Sequence, residues 1–291
     1  MNPIPVIGRF APSPSGDLHF GSLVSAVGSY LEAKCAGGKW MLRIEDIDPP
    51  REVEGSAIRI NNDLCRLDLI PDAPVLYQSS RNNAYQAAIR QLLDKGKAYP
   101  CACSRKDLPD SGVYPGTCRT GIPAGKPPRS IRFIVDDGTC FFTDSLQGHI
   151  SESPVETTGD FIIQRADGLV AYQLAVVIDD DFQGVTQVVR GADLLDSTNR
   201  QICLQRALGI ESPAYMHLPV AQSADGKKLS KRLGTDPVAQ QSPVHAIGQA
   251  LHFLGQNPPV NLTLDNLWSW ALENWNSDLI PRRKAILFGN V

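Results

Sequence analysis

Residues 4–31 carry the pattern that most narrows the fold. Ile4 to Ile7, with Pro5 inside, reads as a short strand. Arg9-Phe-Ala11-Pro12-Ser13-Pro14-Ser-Gly16 follows as a loop dense in Pro, Ser and Gly. A helix then opens near Leu18, with Leu23, Val24, Val27 and Leu31 at its apolar positions. Strand, tight loop and helix start in succession form the place where an open α/β sheet binds phosphates. The first helical turn leaves N–H groups unpaired and partly positive. Neither G-x-G-x-x-G nor G-x-x-x-x-G-K-[ST] is present. Pro12 and Pro14 stiffen the loop, and Gly16 and Gly21 let backbone approach a ligand. His19 can donate a ring N–H to a phosphate oxygen. Locally, the same pattern also fits a capped helix with His19 on the surface.

Residues 39–46 read as a second parallel strand ending at Glu45 and Asp46. Ligands of open α/β sheets lie at the carboxyl ends of strands, so Glu45 is placed to receive an ammonium group. Helices are expected over 55–67 and 80–95. Ser130–Val135 and Cys140–Phe142 read as strands joined in a hairpin by Asp136-Asp-Gly138. After Asp160–Gly168 a helix begins near Tyr172 and runs into three acids, Asp179 to Asp181. Val185–Val189 is a β-branched strand ending at Arg190, a bidentate partner for a carboxylate or a surface salt bridge. Asp225-Gly-Lys227-Lys228-Leu-Ser230-Lys231-Arg232 is either a solvated charge run or a loop over polyphosphate. Trp268, Trp270 and Trp275 at helical spacing read as core rather than as base-stacking platforms.

Lys plus Arg number 28 and Asp plus Glu 31, a formal charge of -3. That balance does not advertise nucleic-acid binding, though a local basic surface suffices for it. There is no apolar run of 18 residues and no signal-peptide pattern, so a cytoplasmic protein without a membrane partner is expected. No large apolar patch is indicated, and a monomer is expected. Of seven cysteines, Cys101, Cys103 and Cys118 cluster. In a reducing compartment such clustering favours metal over disulfide. Three thiolates leave one zinc position open, for which Tyr114, His149 and Cys140 are candidates.

Several strings resemble one family. His19-Phe-Gly21-Ser22 resembles the HIGH signature of class I aminoacyl-tRNA synthetases, and Lys228-Leu-Ser-Lys231-Arg232 their KMSKS signature. R-F-A-P-S-P-x-G-x-L-H, R-I-E-D-I-D-P-P-R, Y-x-L-A-V-V-x-D-D and V-x-R-G-x-D-L-L resemble the glutamyl members. Ser22 stands where the signature has a second histidine. The resemblance implies a Rossmann-like parallel sheet with an inserted α+β zinc-containing module and a short C-terminal helical region. The implied divisions are 1–98, 99–158, 159–240 and 241–291. The implied glutamate contacts are Arg9, Ala11, Ser13, Glu45, Tyr172 and Arg190. Pro12, His19, Gly21, Ser22 and Lys231 would face ATP, which brings Mg²⁺. His19, Lys228 and Lys231 would stabilise the reacting phosphates.

The Ser22 variant, the Cys101-x-Cys103, Tyr114, Cys118 arrangement and the small C-terminal region resemble the glutamyl-Q branch of the family. That likeness implies structural Zn²⁺ on Cys101, Cys103, Tyr114 and Cys118, with no anticodon-binding domain. It implies ATP-dependent activation of L-glutamate without tRNA, then transfer to queuosine in the anticodon of tRNA(Asp). The alternative is a truncated glutamyl-tRNA synthetase charging a tRNA 3′ end. A binding-only relic would not need both the glutamate and the phosphate sets.

Overall fold

The computed structural model describes residues 5–136, 138, 140–222 and 238–288. In chain order the strands and helices begin with β1 (Ile7–Phe10), α1 (Phe20–Cys35), β2 (Lys39–Ile44), α2 (Ser56–Arg66), β3 (Leu76–Tyr77) and α3 (Asn82–Asp94). β4 (Ala98–Cys101), β5 (Ser130–Phe133), β6 (Cys140–Asp144), β7 (Gly148–Glu152), α4 (Pro154–Thr157) and β8 (Phe161–Gln164) follow. Then come α5 (Tyr172–Phe182), β9 (Gln187–Gly191), α6 (Leu195–Leu208), β10 (Ala214–Leu218) and β11 (Val220–Gln222). The described chain closes with α7 (Pro243–Phe253), α8 (Leu264–Asn274) and β12 (Ala285–Leu287).

β1, β2 and β3 pair in parallel, as do β9, β10 and β6, and β7 folds back antiparallel on β6. The two sheets meet along β1 and β9, where the Thr186 N–H donates to the Ile7 carbonyl at 3.0 Å. β1 and β2 are buried at their carboxyl ends, as expected of parallel strands covered by helices. α1 lays Leu23, Val24, Val27 and Leu31 into the core, where each is at most 2% exposed. Gly28 on its inner face permits the close packing. A Cβ there would lie 2.6 Å from a Leu218 methyl. Trp40 is fully buried and donates its indole N–H to Ser29 Oγ at 2.9 Å.

A further sheet, β4-β5-β8, is antiparallel and carries its own core with α3 and α5. The sheets cut across the divisions expected at 98/99 and 158/159. β6 and β7 belong with β10, while β8 belongs with β4 and β5. The expected hairpin across 136–138 is not formed. β5 pairs with β4 and β8, and β6 leaves to pair in parallel with β10. The hairpin lies one strand later, between β6 and β7. A local turn signal cannot choose between those partners, because both runs are short and apolar.

α7 and α8 pack on α1 and extend the main core. Trp268 is buried and donates to the Leu67 carbonyl at 2.9 Å, and Trp275 donates to Glu32 at 2.7 Å. These two indoles therefore serve packing, as the sequence pattern indicated. Among the described residues no helix is long and apolar enough to cross a membrane.

Candidate active site

A cavity of about 480 Å³ opens at the carboxyl ends of β1, β2 and β9, beside the start of α1. Arg9, Ala11, Pro12, Ser13, His19, Gly21, Ser22, Glu45, Tyr172 and Arg190 all line it. Lys228 and Lys231 lie outside the described residues.

The loop entering α1 is pinned from below. Glu45 N–H donates to the Pro12 carbonyl at 3.0 Å, and Val53 N–H to the Pro14 carbonyl at 2.9 Å. Gly16 has φ 131°, a conformation only glycine adopts without strain. Its N–H donates to Ser56 Oγ (3.1 Å), whose hydroxyl donates to the Gly16 carbonyl (2.6 Å). His19 is the N-cap of α1, and its Nδ1 accepts the Ser22 N–H at 3.3 Å. With Nδ1 accepting, a neutral imidazole carries its proton on Nε2, which lies 3.0 Å from Ser22 Oγ. The ring donates to that oxygen and leaves the hydroxyl proton free to point elsewhere. The capped-helix and ligand-facing readings of His19 are thus compatible: it caps α1 and lines the cavity.

The opposite wall is charged and buried. Arg9 Nε donates to Asp180 Oδ1 at 3.1 Å, and Arg43 Nη1 to the same oxygen at 2.7 Å. Arg43 also reaches Glu45 at 3.4 Å. Arg43 is fully buried and Glu45 is 7% exposed. Burial pushes the Glu45 carboxyl above its ordinary value, with Arg43 and Arg9 pulling it back. The Arg9 and Arg43 guanidiniums hold Asp180 below the usual carboxylate range despite its burial. Burial raises the Tyr172 hydroxyl, so it stays protonated as a donor. Arg190 donates from Nε to His217 Nε2 at 3.0 Å and from Nη2 to Thr198 Oγ1 at 2.9 Å.

Asp180, Arg43, Thr198 and His217 were not singled out as site residues from sequence. Asp180 was visible as one of three acids in a row. His217 had only the weak signal of a polar residue inside an apolar strand. Asp179, its neighbour, has a different duty. It accepts from Gln78 (2.8 Å), Arg81 (2.6 Å) and Tyr85 (2.6 Å) and ties α3 to α5.

At the edge of the small sheet, the sulfurs of Cys101, Cys103 and Cys118 lie within 4.8 Å of one another. Cys103 Sγ is 3.6 Å from Cys118 Sγ, and Tyr114 Oη is 3.3 Å from Cys101 Sγ and 3.4 Å from Cys103 Sγ. His149 instead pairs its ring with Phe141 on the β6–β7 hairpin, and Cys140 neighbours Cys203. Of the three candidates for a fourth ligand, Tyr114 is the one brought to the cluster. Among the described residues this is the one grouping of three or more such side chains.

The family model "tRNA synthetases class I (E and Q), catalytic domain" matches residues 5–111 and 119–249. A glutamyl-Q tRNA(Asp) synthetase of Dechloromonas aromatica (strain RCB) is 49% identical over 97% of this chain and 98% of its own length. One from Chromobacterium violaceum is 48% identical over 94% and 95% respectively. The crystal structure of a glutamate tRNA ligase from Elizabethkingia meningosepticum, in complex with its amino acid, superposes with a TM-score of 0.81. It is 26% identical, and the match covers 96% of this chain and 66% of that one. The fold is accordingly the class I tRNA synthetase fold of parallel sheet and flanking helices. With the family model spanning both halves of the site and near-half identity over almost the whole length, the chain belongs to the class I tRNA synthetases, in the glutamyl-Q tRNA(Asp) synthetase family.

Proposed function

We propose that the chain activates L-glutamate with ATP and transfers the glutamyl group to queuosine in the anticodon of tRNA(Asp). One observation carries the activation step. A single cavity has a capped helix start on one wall and buried Arg9, Arg190 and Glu45 with the half-buried Tyr172 on the other. Phosphates suit the first wall, and an amino acid with two carboxylates and one ammonium suits the second. Glu45 takes the ammonium, Arg9, Tyr172 and Arg190 serve the carboxylates, and the loop at Ala11 and Ser13 encloses the substrate. The α-carboxylate attacks the α-phosphorus of ATP and pyrophosphate leaves. A carboxylate is already a nucleophile, so alignment and charge neutralisation do the catalytic work. Pro12, His19, Gly21 and Ser22 face ATP, and Lys228 and Lys231 stabilise the leaving pyrophosphate. Mg²⁺ arrives with the ATP phosphates. A hydroxyl of the queuosine cyclopentene-diol then attacks the activated carbonyl, forming an ester and releasing AMP.

The cysteine cluster fits structural zinc. Zn–S bonds of about 2.3 Å in a tetrahedron put sulfurs roughly 3.8 Å apart. The 3.6 Å Cys103–Cys118 separation and the Tyr114 oxygen at 3.3–3.4 Å from two sulfurs are close to those edges. Cys101, Cys103, Cys118 and Tyr114 would hold the ion, which would brace the loop between β4 and β5. None of these four residues lines the cavity.

The test incubates the protein with labelled glutamate, ATP and tRNA(Asp) bearing or lacking queuosine. Label is expected on the queuosine-bearing tRNA(Asp) alone. Label on tRNA(Glu), or on tRNA(Asp) without queuosine, overturns the acceptor and favours charging of a 3′ end.

A further inference from the structure

The two arginines facing the cavity sit in different electrostatic surroundings. Arg9 spends Nε and Nη2 on the two oxygens of Asp180, at 3.1 and 3.5 Å, and Nη1 on the Val189 carbonyl at 3.4 Å. Its charge is compensated inside the protein. Arg190 meets only neutral acceptors: His217 Nε2 (3.0 Å), Thr198 Oγ1 (2.9 Å) and the Leu194 carbonyl (3.4 Å). Among the described residues no carboxylate pairs with it. It is 5% exposed, and its Nη1 is buried without a partner. A buried guanidinium with an idle amino group and no counter-charge is costly. A carboxylate entering the cavity would relieve both deficits.

The support behind Arg190 is specific. His217, fully buried on β10, is its direct neighbour in the parallel β9–β10 pair. Arginine has donors only, so His217 Nε2 must be the bare nitrogen and Nδ1 must carry the proton. That N–H donates to Asp144 Oδ2 at 2.6 Å. The other Asp144 oxygen accepts the N–H groups of Leu146 (3.0 Å), Gln147 (2.9 Å) and His217 (3.2 Å), so the carboxylate cannot turn. Burial holds the His217 imidazole below its ordinary value, against the pull of Asp144. A carboxylate in direct contact would orient Arg190 equally well but would cancel its charge. A neutral imidazole orients it and leaves the charge for a ligand.

We propose that Asp144 and His217 are positioning residues that hold Arg190 as the uncompensated cation receiving a substrate carboxylate. The proposal rests on the glutamate-activation reading above. The test is glutamate-dependent ATP–pyrophosphate exchange with the full chain, comparing His217→Asn and His217→Gln. Asn reaches the Nδ1 position, keeping a donor for Asp144 and losing the acceptor for Arg190. Gln reaches the Nε2 position and can offer that acceptor. H217N is expected to raise the glutamate KM about tenfold or more, the cost of a hydrogen bond to a charged group. Its ATP KM should stay within about twofold, and H217Q should hold the glutamate KM within about threefold of wild type. A wild-type glutamate KM in H217N, or an ATP KM rising in step with it, overturns the proposal. If thermal melting shows H217N unfolded, Thr198→Val decides in its place. A raised glutamate KM supports the proposal and an unchanged one sinks it. Absence of exchange in the wild-type chain overturns the activation reading itself, before any substitution is compared.

Discussion

Arg43 Nη1 lies 2.7 Å from Asp180 Oδ1, and the pair is almost completely removed from water. The same carboxylate holds Arg9, so two guanidiniums depend on one acid. Asp180→Asn leaves both with Glu45 as the nearest remaining counter-charge. Breaking a buried pair from one side costs roughly 3–5 kcal/mol. Urea unfolding should show a loss of that order in D180N, with glutamate activation falling as Arg9 loses its anchor. An unchanged urea midpoint would show that Asp180 is dispensable to the wall.

Glu45 should write itself into the pH profile. Burial raises its carboxyl above the ordinary range, and only the ionised form can receive an ammonium. The glutamate KM is therefore expected to climb as pH falls, beginning above the usual carboxylate range. The climb approaches about tenfold per pH unit once Glu45 is mostly protonated. Glu45→Gln should have a high KM that no longer varies on that limb. A KM in E45Q with the wild-type acid limb would assign the titration elsewhere.

His217 makes a separate prediction, on stability rather than activity. Its folded value lies below its ordinary one, chiefly through burial. The unfolded chain thus binds a proton, below about pH 6.5, that the folded chain refuses. Stability is full above that pH and is lost as pH falls toward the folded value. The slope approaches about 1.4 kcal/mol per pH unit for this one group. Denaturant titrations across that window should show the slope in wild type and its reduction in His217→Gln. Parallel curves for the two proteins would count against it.

Metal analysis should find about one zinc per chain in protein purified without chelator. Cys118→Ser is expected to lose it, and chelation should lower the melting temperature of wild type but not of C118S. Since none of the cluster lines the cavity, ATP–pyrophosphate exchange should fall far less than melting temperature. Zinc-free protein with an unaltered melting temperature would remove the structural role.

The sequence made some of this legible and concealed the rest for physical reasons. Helical periodicity located α1, α2 and α3 because each buries a single stripe that repeats along the chain. Ten residues implied by the resemblance, from Arg9 to Arg190, line one cavity. Strand ends and a helix start made His19, Glu45 and Arg190 readable locally, whereas Arg9, Ala11, Ser13 and Tyr172 came from the resemblance. The hairpin over 136–138 failed for the converse reason. β6 is committed by Tyr215 and the β7 strand, partners that no local window contains. Asp179 and Asp180 read as one acidic run, yet successive positions on α5 aim them at different partners. Asp179 staples helices, and Asp180 sets the pocket charge. His217 carries only the weak signal of a polar residue in an apolar strand, and nothing near it in sequence distinguishes a supporting histidine from an ordinary buried one.

Arg9 and Asp180 are 171 residues apart along the chain. During synthesis the arginine leaves the ribosome long before its carboxylate exists, and β1 waits equally long for β9. Contacts of such separation form late, because a long loop must close before they give anything back. By the same argument the loop over 11–19 and α1 can take shape from local signals before the Arg9–Asp180 wall, and a nascent chain is expected to pass through a stage with half of the cavity assembled. That stage leaves the β1 edge uncovered, and it is where an interrupted or truncated chain would be most exposed to mispairing.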